Sequence, residues 1–224
     1  MKKLLFGLLA TVAFLSNSFG QNNEFLKSEL YGKYHNEFLK IYYEKYSNVK
    51  DKDFKIMFND ILSEFEKKYP DLISAQEKEF YAKRVDEIFG SNTKLRNLNF
   101  NDIFNRAAKK YYSPKLQEFL IDILNKNESP DIITDKISIL KNDKTLSIID
   151  LEEVKKFESV YISSQLYWEN DFSNTENVVS KYKCNPHHQA FLADAGGMMF
   201  GGWGCLIFSA FVVDLQDQHG GGCI

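Results

Sequence analysis

The sequence predicts an all-α fold: an irregular bundle of about seven amphipathic helices followed by a C-terminal Gly-rich apolar helix. Three observations predict it. Between residues 24 and 168, apolar side chains recur at three- and four-residue spacing, with lysines and glutamates on the intervening faces, as in helices that each bury one stripe. Residues that start or stop helices stand at the ends of these stripes. No convincing alternation of apolar and polar residues, the mark of a half-buried strand, interrupts the series.

Ahead of the stripes, Lys2 and Lys3 precede an apolar run over 4–15 and the small-residue pattern Ser18-Phe19-Gly20. This reads as a secretory signal peptide cut before Gln21. The run is short for a transmembrane anchor, and no cysteine near the cut can accept lipid. Export with release is therefore the expectation, with uncleaved anchoring as the alternative. The expected organisation is a signal peptide over 1–20, a helical body over 21–169, a polar linker over 170–187 and a Gly-rich apolar tail over 188–224.

The first stripe is Leu26, Leu30, Tyr34, Phe38, Ile41 and Tyr42. The second, Phe54, Met57, Phe58, Ile61, Leu62, Phe65 and Tyr69, ends at Pro70 because the residue before proline is pushed out of the helical region. Asp71 is the expected N-cap of a third helix, with Phe80, Tyr81, Val85, Ile88 and Phe89 on its buried face and Gly90 as its stop. Phe100, Ile103, Phe104, Ala107, Ala108 and Tyr111 mark a fourth. Ser113-Pro114 opens a fifth through Leu116, Phe119, Leu120, Ile123 and Leu124, and Ser129-Pro130 opens a sixth through Ile133, Ile137 and Leu140; proline suits the first helical position, where its missing N–H costs nothing. Asp150-Leu151-Glu152-Glu153 resembles a capping box ahead of Val154, Phe157, Val160, Tyr161 and Trp168 in a seventh. The candidate hairpins start near 24, 71, 113 and 150, at unequal intervals and with no shared residue pattern, so a repeat array is the poorer description. The polar, aperiodic stretch 169–183 is expected as linker or long loop.

Composition changes sharply near residue 184. No Lys or Arg follows Lys183, and residues 195–213 carry no charge at all. Within this tail Ala193, Gly197, Gly201, Cys205 and Ser209 fall every fourth residue, which on a helix forms one narrow seam of small side chains where another backbone can approach closely. Three readings of the segment stand: a membrane span, a buried central helix, or an assembly element that pairs with copies of itself or inserts into a membrane. Against a simple span, five glycines weaken its hydrophobicity, Asp194 borders it, and Lys181 and Lys183 would lie on the exported side.

The three cysteines, Cys184, Cys205 and Cys223, all fall in the tail. An exported chain permits disulfides, and the odd count leaves one thiol over. If the segment is one continuous helix, Cys184 is too far from Cys205, while Gly220-Gly221-Gly222 lets Cys223 fold back to Cys205. If the glycines at 201, 202 and 204 break it into a hairpin, Cys184 and Cys223 meet, and Cys184, His187, His188, His219 and Cys223 become candidate zinc ligands at spacings such a site uses. On the continuous helix these two half-sites lie at opposite ends, and the histidines are solvent-exposed flanks.

No motif for a nucleophile elbow, a zinc protease or a phosphate loop occurs, so no catalytic residue is assigned and no cofactor beyond that candidate zinc is expected. Carboxylates sit beside lysines at helix-surface spacing and read as solvated faces. Without Lys2 and Lys3 the chain has 26 basic and 31 acidic residues, a balance that gives no pull toward nucleic acid.

The signal peptide ending in Gly20-Gln21, the late segment Ser163-Ser164-Gln165-Leu166-Tyr167-Trp168 and the tail motif Ala193-Asp194-Ala195-Gly196-Gly197 resemble small exported proteins of unknown function from flavobacterium-like bacteria, a family that implies no activity. The Gly-rich tail is similar over about thirty residues to the glycine-zipper segments of membrane-active bacteriocins, though the double-glycine leader typical of those peptides is missing. The expected function is accordingly that of an exported, periplasmic or extracellular, non-enzymatic helical protein. Its C-terminal helix would mediate packing, self-association or membrane insertion, a toxin- or bacteriocin-like use among them. The alternative is a soluble envelope binding module with a buried structural C-terminal helix. A third class is a metal-dependent enzyme built on the Cys/His cluster.

Overall fold

The structure is a computed structural model that describes residues 27–46, 49, 53–89, 109–126 and 128–173. The signal peptide, most of the fourth expected helix and the tail lie outside the described residues. Within them the chain is all-α: a 3-10 turn (Ser28–Leu30) leads into α1 (Tyr31–Tyr46), then α2 (Phe54–Lys68), α3 (Ala75–Phe89), α4 (Pro114–Lys126), α5 (Pro130–Lys141) and α6 (Ile148–Ser173), with no strand among the described residues. Residues 109–111 are helical, at the end of the fourth expected helix.

α1 and α2 form an antiparallel hairpin. Asp53 caps α2, its carboxylate accepting from the Lys55 and Ile56 N–H groups, two of the donors that a helix start leaves free. Phe65 on α2 meets Phe38 with ring centroids 4.3 Å apart and Tyr34 edge-on at 5.7 Å. At the other end Tyr46 donates to Asp60 at 2.9 Å, and Lys45 pairs with Asp60 and Glu64. Lys67 and Glu64 are also paired, and the two lysines hold the Glu64 carboxyl down to about 2.

The turn into α3 departs from the sequence expectation. Asp71 is not the N-cap; it adopts φ 62°, the left-handed conformation that a short polar side chain tolerates at a chain reversal. Ser74 caps α3 instead, its Oγ accepting the Glu77 N–H at 3.1 Å and its carbonyl the Lys78 N–H at 3.0 Å. The helix then runs back along α2, with ion pairs Lys55 to Asp86 and Lys78 to Glu66. Phe80, expected on the buried face, is 37% exposed, whereas Tyr81 is buried as expected.

α4, α5 and α6 form the second half. Leu116, Phe119, Leu120 and Ile123 of α4, Ile133, Ile137 and Leu140 of α5, and Val154, Phe157, Val160 and Tyr161 of α6 are buried in one core shared with α1 and α2. Both serine-proline starts are present. Ser113 and Ser129 accept the first helical N–H bonds through their carbonyls, at 2.9 and 3.1 Å, and the Ser129 side chain makes no capping bond. α6 starts earlier than expected. Its capping residue is Ser147, whose Oγ accepts the Asp150 N–H at 3.0 Å and donates to the Asp150 carboxylate at 2.9 Å. Asp150 is the third residue of that box rather than its cap, and its other oxygen accepts the Ser113 N–H at 3.4 Å, tying the start of α4 to α6. At the far end α6 continues to Ser173, five residues into the stretch expected as linker.

The most extensive helix contact joins α1 and α6, which run in the same direction. Ser28 donates to Glu152 at 2.9 Å, the Gly32 N–H to Ser159 Oγ at 3.0 Å, and Asn36 Nδ2 to the Ser163 carbonyl at 3.1 Å. Ser159 donates in turn to the Glu29 carbonyl at 2.9 Å. The partners advance together along both segments, every fourth residue of the 3-10 turn and α1 (28, 32, 36) meeting small or polar residues on α6. α1 is therefore gripped by α2 on one side and α6 on the other. Tyr31, His35 and Leu39 are buried beside the expected Tyr34, Phe38 and Tyr42, whereas Leu30 and Ile41 are only partly covered.

Two stability measurements check this packing. Phe58 is 2% exposed in the core, so Phe58→Ala is expected to cost about 3 to 5 kcal/mol in a denaturant melt; a change below about 1 kcal/mol is incompatible with that burial. A Cβ at Gly32 would overlap the Ser159 carbonyl and the Ser163 hydroxyl. Gly32→Ala should therefore destabilise by about 1 to 3 kcal/mol, although in an open helix the same change would stabilise by about 1 kcal/mol. A gain in stability would show that α1 and α6 do not meet this closely.

Candidate functional site

The chemically densest described position lies where α1, α3 and α6 converge, and its origin is the start of α3. In a capping box the glutamate three residues after the serine normally reaches back to the cap's N–H. Glu77 occupies that place in the Ser74 box but turns into the body. Its Oε1 accepts from Tyr31 Oη at 3.2 Å and from Tyr81 Oη at 3.1 Å, and the two phenol oxygens are 2.9 Å apart. Tyr81 lies one turn along the same helix, on the same face, and Tyr31 is the first residue of α1. From α6 the Lys156 ammonium lies 5.3 Å from the Tyr31 ring centroid and pairs with Glu153 at 2.9 Å.

Burial decides what this cluster can do. Tyr31 and Glu77 are 0% exposed and Tyr81 is 2% exposed, so the carboxylate and both phenols are closed off from solvent. Burial, the Glu77 charge and, more weakly, Glu153 push the Tyr31 hydroxyl well above its ordinary range. Burial followed by Tyr31 and Glu77 does the same for Tyr81. Both phenols therefore stay protonated and act as donors to the carboxylate, the arrangement that makes a buried carboxylate tolerable. The cluster works as a polar joint that fixes the start of α1 against α3.

The sequence reading took the glutamates as solvated faces. Glu37, Glu64 and Glu87, each paired with lysine, follow that reading; Glu77 overturns it. A signal was present: a serine and a glutamate three apart announce a helix start, and a tyrosine four residues beyond the glutamate shares its face. What no local pattern contained was Tyr31, 46 residues away. Gly32 was also passed over, although Ser28, Gly32 and Asn36 are spaced by four, as the tail residues are.

The site residues singled out from the sequence are not among those the structure describes. Ala193, Gly197, Gly201, Cys205 and Ser209 of the seam, the cysteine pair Cys205 and Cys223, and the candidate zinc ligands Cys184, His187, His188, His219 and Cys223 lie outside the described residues. Among the described residues no group of three or more His, Cys, Asp or Glu side chains is placed to hold a metal ion, and no helix is long and apolar enough to cross a membrane.

The buried phenols make an alkaline prediction. Tyr161 is pushed up to about 12 by burial and the Asp131 charge, and Tyr31 and Tyr81 are raised as well. A phenol whose folded value exceeds its unfolded value near 10 contributes stability that is fully present below pH ~10 and lost as pH rises through the folded value. Spectrophotometric titration should show these three among the 12 tyrosines ionising only together with loss of helical circular dichroism. Ionisation of every tyrosine near pH ~10 with the helix signal intact would contradict the burial. Comparison with protein-family models, with curated proteins and with solved structures returned no match.

Proposed function

We propose that this chain is an exported, non-enzymatic helical protein whose C-terminal small-residue segment mediates packing, self-association or membrane insertion. The observation that carries the reading is the uncharged run 195–213, with a small residue at every fourth position from Ala193 to Ser209. Helices associate through such stripes because small side chains let backbones come within van der Waals reach. The body supports the division of labour: its core cluster draws on residues from Tyr31 to Tyr161, so the described helices cover one another's apolar stripes. The leader over 1–20 supports export to the periplasm or beyond.

The body itself supports a role as carrier rather than catalyst. Its buried Tyr31, Glu77 and Tyr81 cluster is closed to solvent, and many of its surface carboxylates are paired with lysines. Exposed pairs of this kind contribute little to stability; they keep a lysine- and glutamate-rich surface soluble.

Gly201→Leu tests the proposal, since a leucine at the crossing point removes close backbone approach. Expected is an unchanged melting temperature of the body together with lost self-association in sedimentation or lost binding to vesicles of bacterial lipid composition. Met199→Leu, close to volume-conserving and outside the four-residue seam, should retain both. A lowered melting temperature with no assembly or vesicle effect would instead favour the soluble module with a buried C-terminal helix. If melting, assembly and vesicle binding all stay as they were, the seam has no function and the proposal fails.

A further inference from the structure

A second position carries a cation for which the described residues supply no acceptor. The Arg84 guanidinium of α3 lies over the Phe80 ring, 4.4 Å from its centroid, and over the Tyr111 ring, 4.3 Å from its centroid. Its Nε is buried with no hydrogen-bond partner, and among the described residues Arg84 enters no ion pair. Ring contacts use the charge of a guanidinium but satisfy none of its N–H groups, which radiate in its plane as a fork.

The neighbouring carboxylates are already committed. Asp86 pairs with Lys55, and Glu87 pairs with Lys110 while accepting the Tyr111 hydroxyl. Lys110, followed by Tyr111, holds the Glu87 carboxyl below its usual range, so it keeps its charge and its partners. Among the described residues, the surroundings of Arg84 thus supply two aromatic rings and no uncommitted carboxylate. A half-buried guanidinium held by rings is oriented in advance, and the group its fork matches is a planar carboxylate taken in two parallel bonds.

We propose that Arg84 anchors a binding site for an organic carboxylate, whose two oxygens take the N–H groups of the terminal Nη1 and Nη2, Nε itself being closed to solvent, while its hydrocarbon part rests on Phe80. Phe80 is 37% exposed, which accounts for an aromatic ring kept at the surface of a helix whose stripe was expected to be buried. The assignment is independent of the tail and of its role.

Benzoate titrated into the full chain, with acetate and inorganic phosphate at matched ionic strength, tests the site by isothermal titration and amide chemical shifts. Expected is saturable benzoate binding that Arg84→Gln weakens by about tenfold or more, roughly the loss of one charge-assisted pair. Arg84→Lys keeps the charge but loses the fork and should weaken binding comparably while its melting temperature stays near that of the parent. This second variant decides the matter should Arg84→Gln fail to fold. Phe80→Ala should weaken benzoate but leave acetate unchanged. The proposal is overturned if benzoate does not saturate, if Arg84→Lys binds it as well as the parent does, or if phosphate competes as strongly as benzoate. Any of these would leave Arg84 as a packing contact between α3 and Tyr111.

Discussion

The close approach of α1 and α6 at Gly32 is the constraint on which the rest of the described structure depends. Residues 127 apart in the chain meet there, and no side chain fits between the two backbones. Serine and asparagine side chains on the facing turns satisfy backbone groups of the opposite helix, so the gap closes with those groups paired. With α6 set on one side of α1, the other side is left for Phe65 and the rest of α2. The two halves thereby share one core. The contact joins the first described helix to the last in parallel, the kind of distant pairing that short antiparallel hairpins cannot supply by themselves.

That crossing also places Tyr31. As the residue before Gly32 it is carried to the start of α3, where Glu77 and Tyr81 receive it. A carboxylate without partners at 0% exposure would cost several kcal/mol, and the two phenols that donate to Glu77 Oε1 offset part of that cost. The joint is directional in a way that the surrounding aromatic packing is not. Phe65 and Phe38 can slide by a rotamer, whereas a carboxylate with two donors within 3.2 Å has one geometry.

The same chemistry is divided differently at the surface. Lysines and carboxylates on α1, α2, α4 and α5 neutralise each other across neighbouring helices, while Arg84 rests on rings and enters no ion pair among the described residues. In the sequence of the tail, the charges all but vanish and small residues take over.

The sequence by itself determined the helices: their period, the proline-marked starts at 114 and 130, the end of α2 before Pro70, and most of the buried residues of α2, α4, α5 and α6. Those features depend on neighbours three or four positions away, which a stripe displays directly. Two caps were misplaced, at Asp71 and Asp150, because an acidic residue near a helix start satisfies the local pattern wherever it stands within a turn. Only the backbone shows that Ser74 and Ser147 sit where the first free N–H groups point. Only the tertiary structure decided that α1 is gripped on two sides, that Gly32 is a crossing point, that Glu77 is buried rather than solvated, and that Phe80 stays at the surface against Arg84. Each of these depends on a partner in another helix, and helical periodicity specifies which face is apolar but not which helix will cover it.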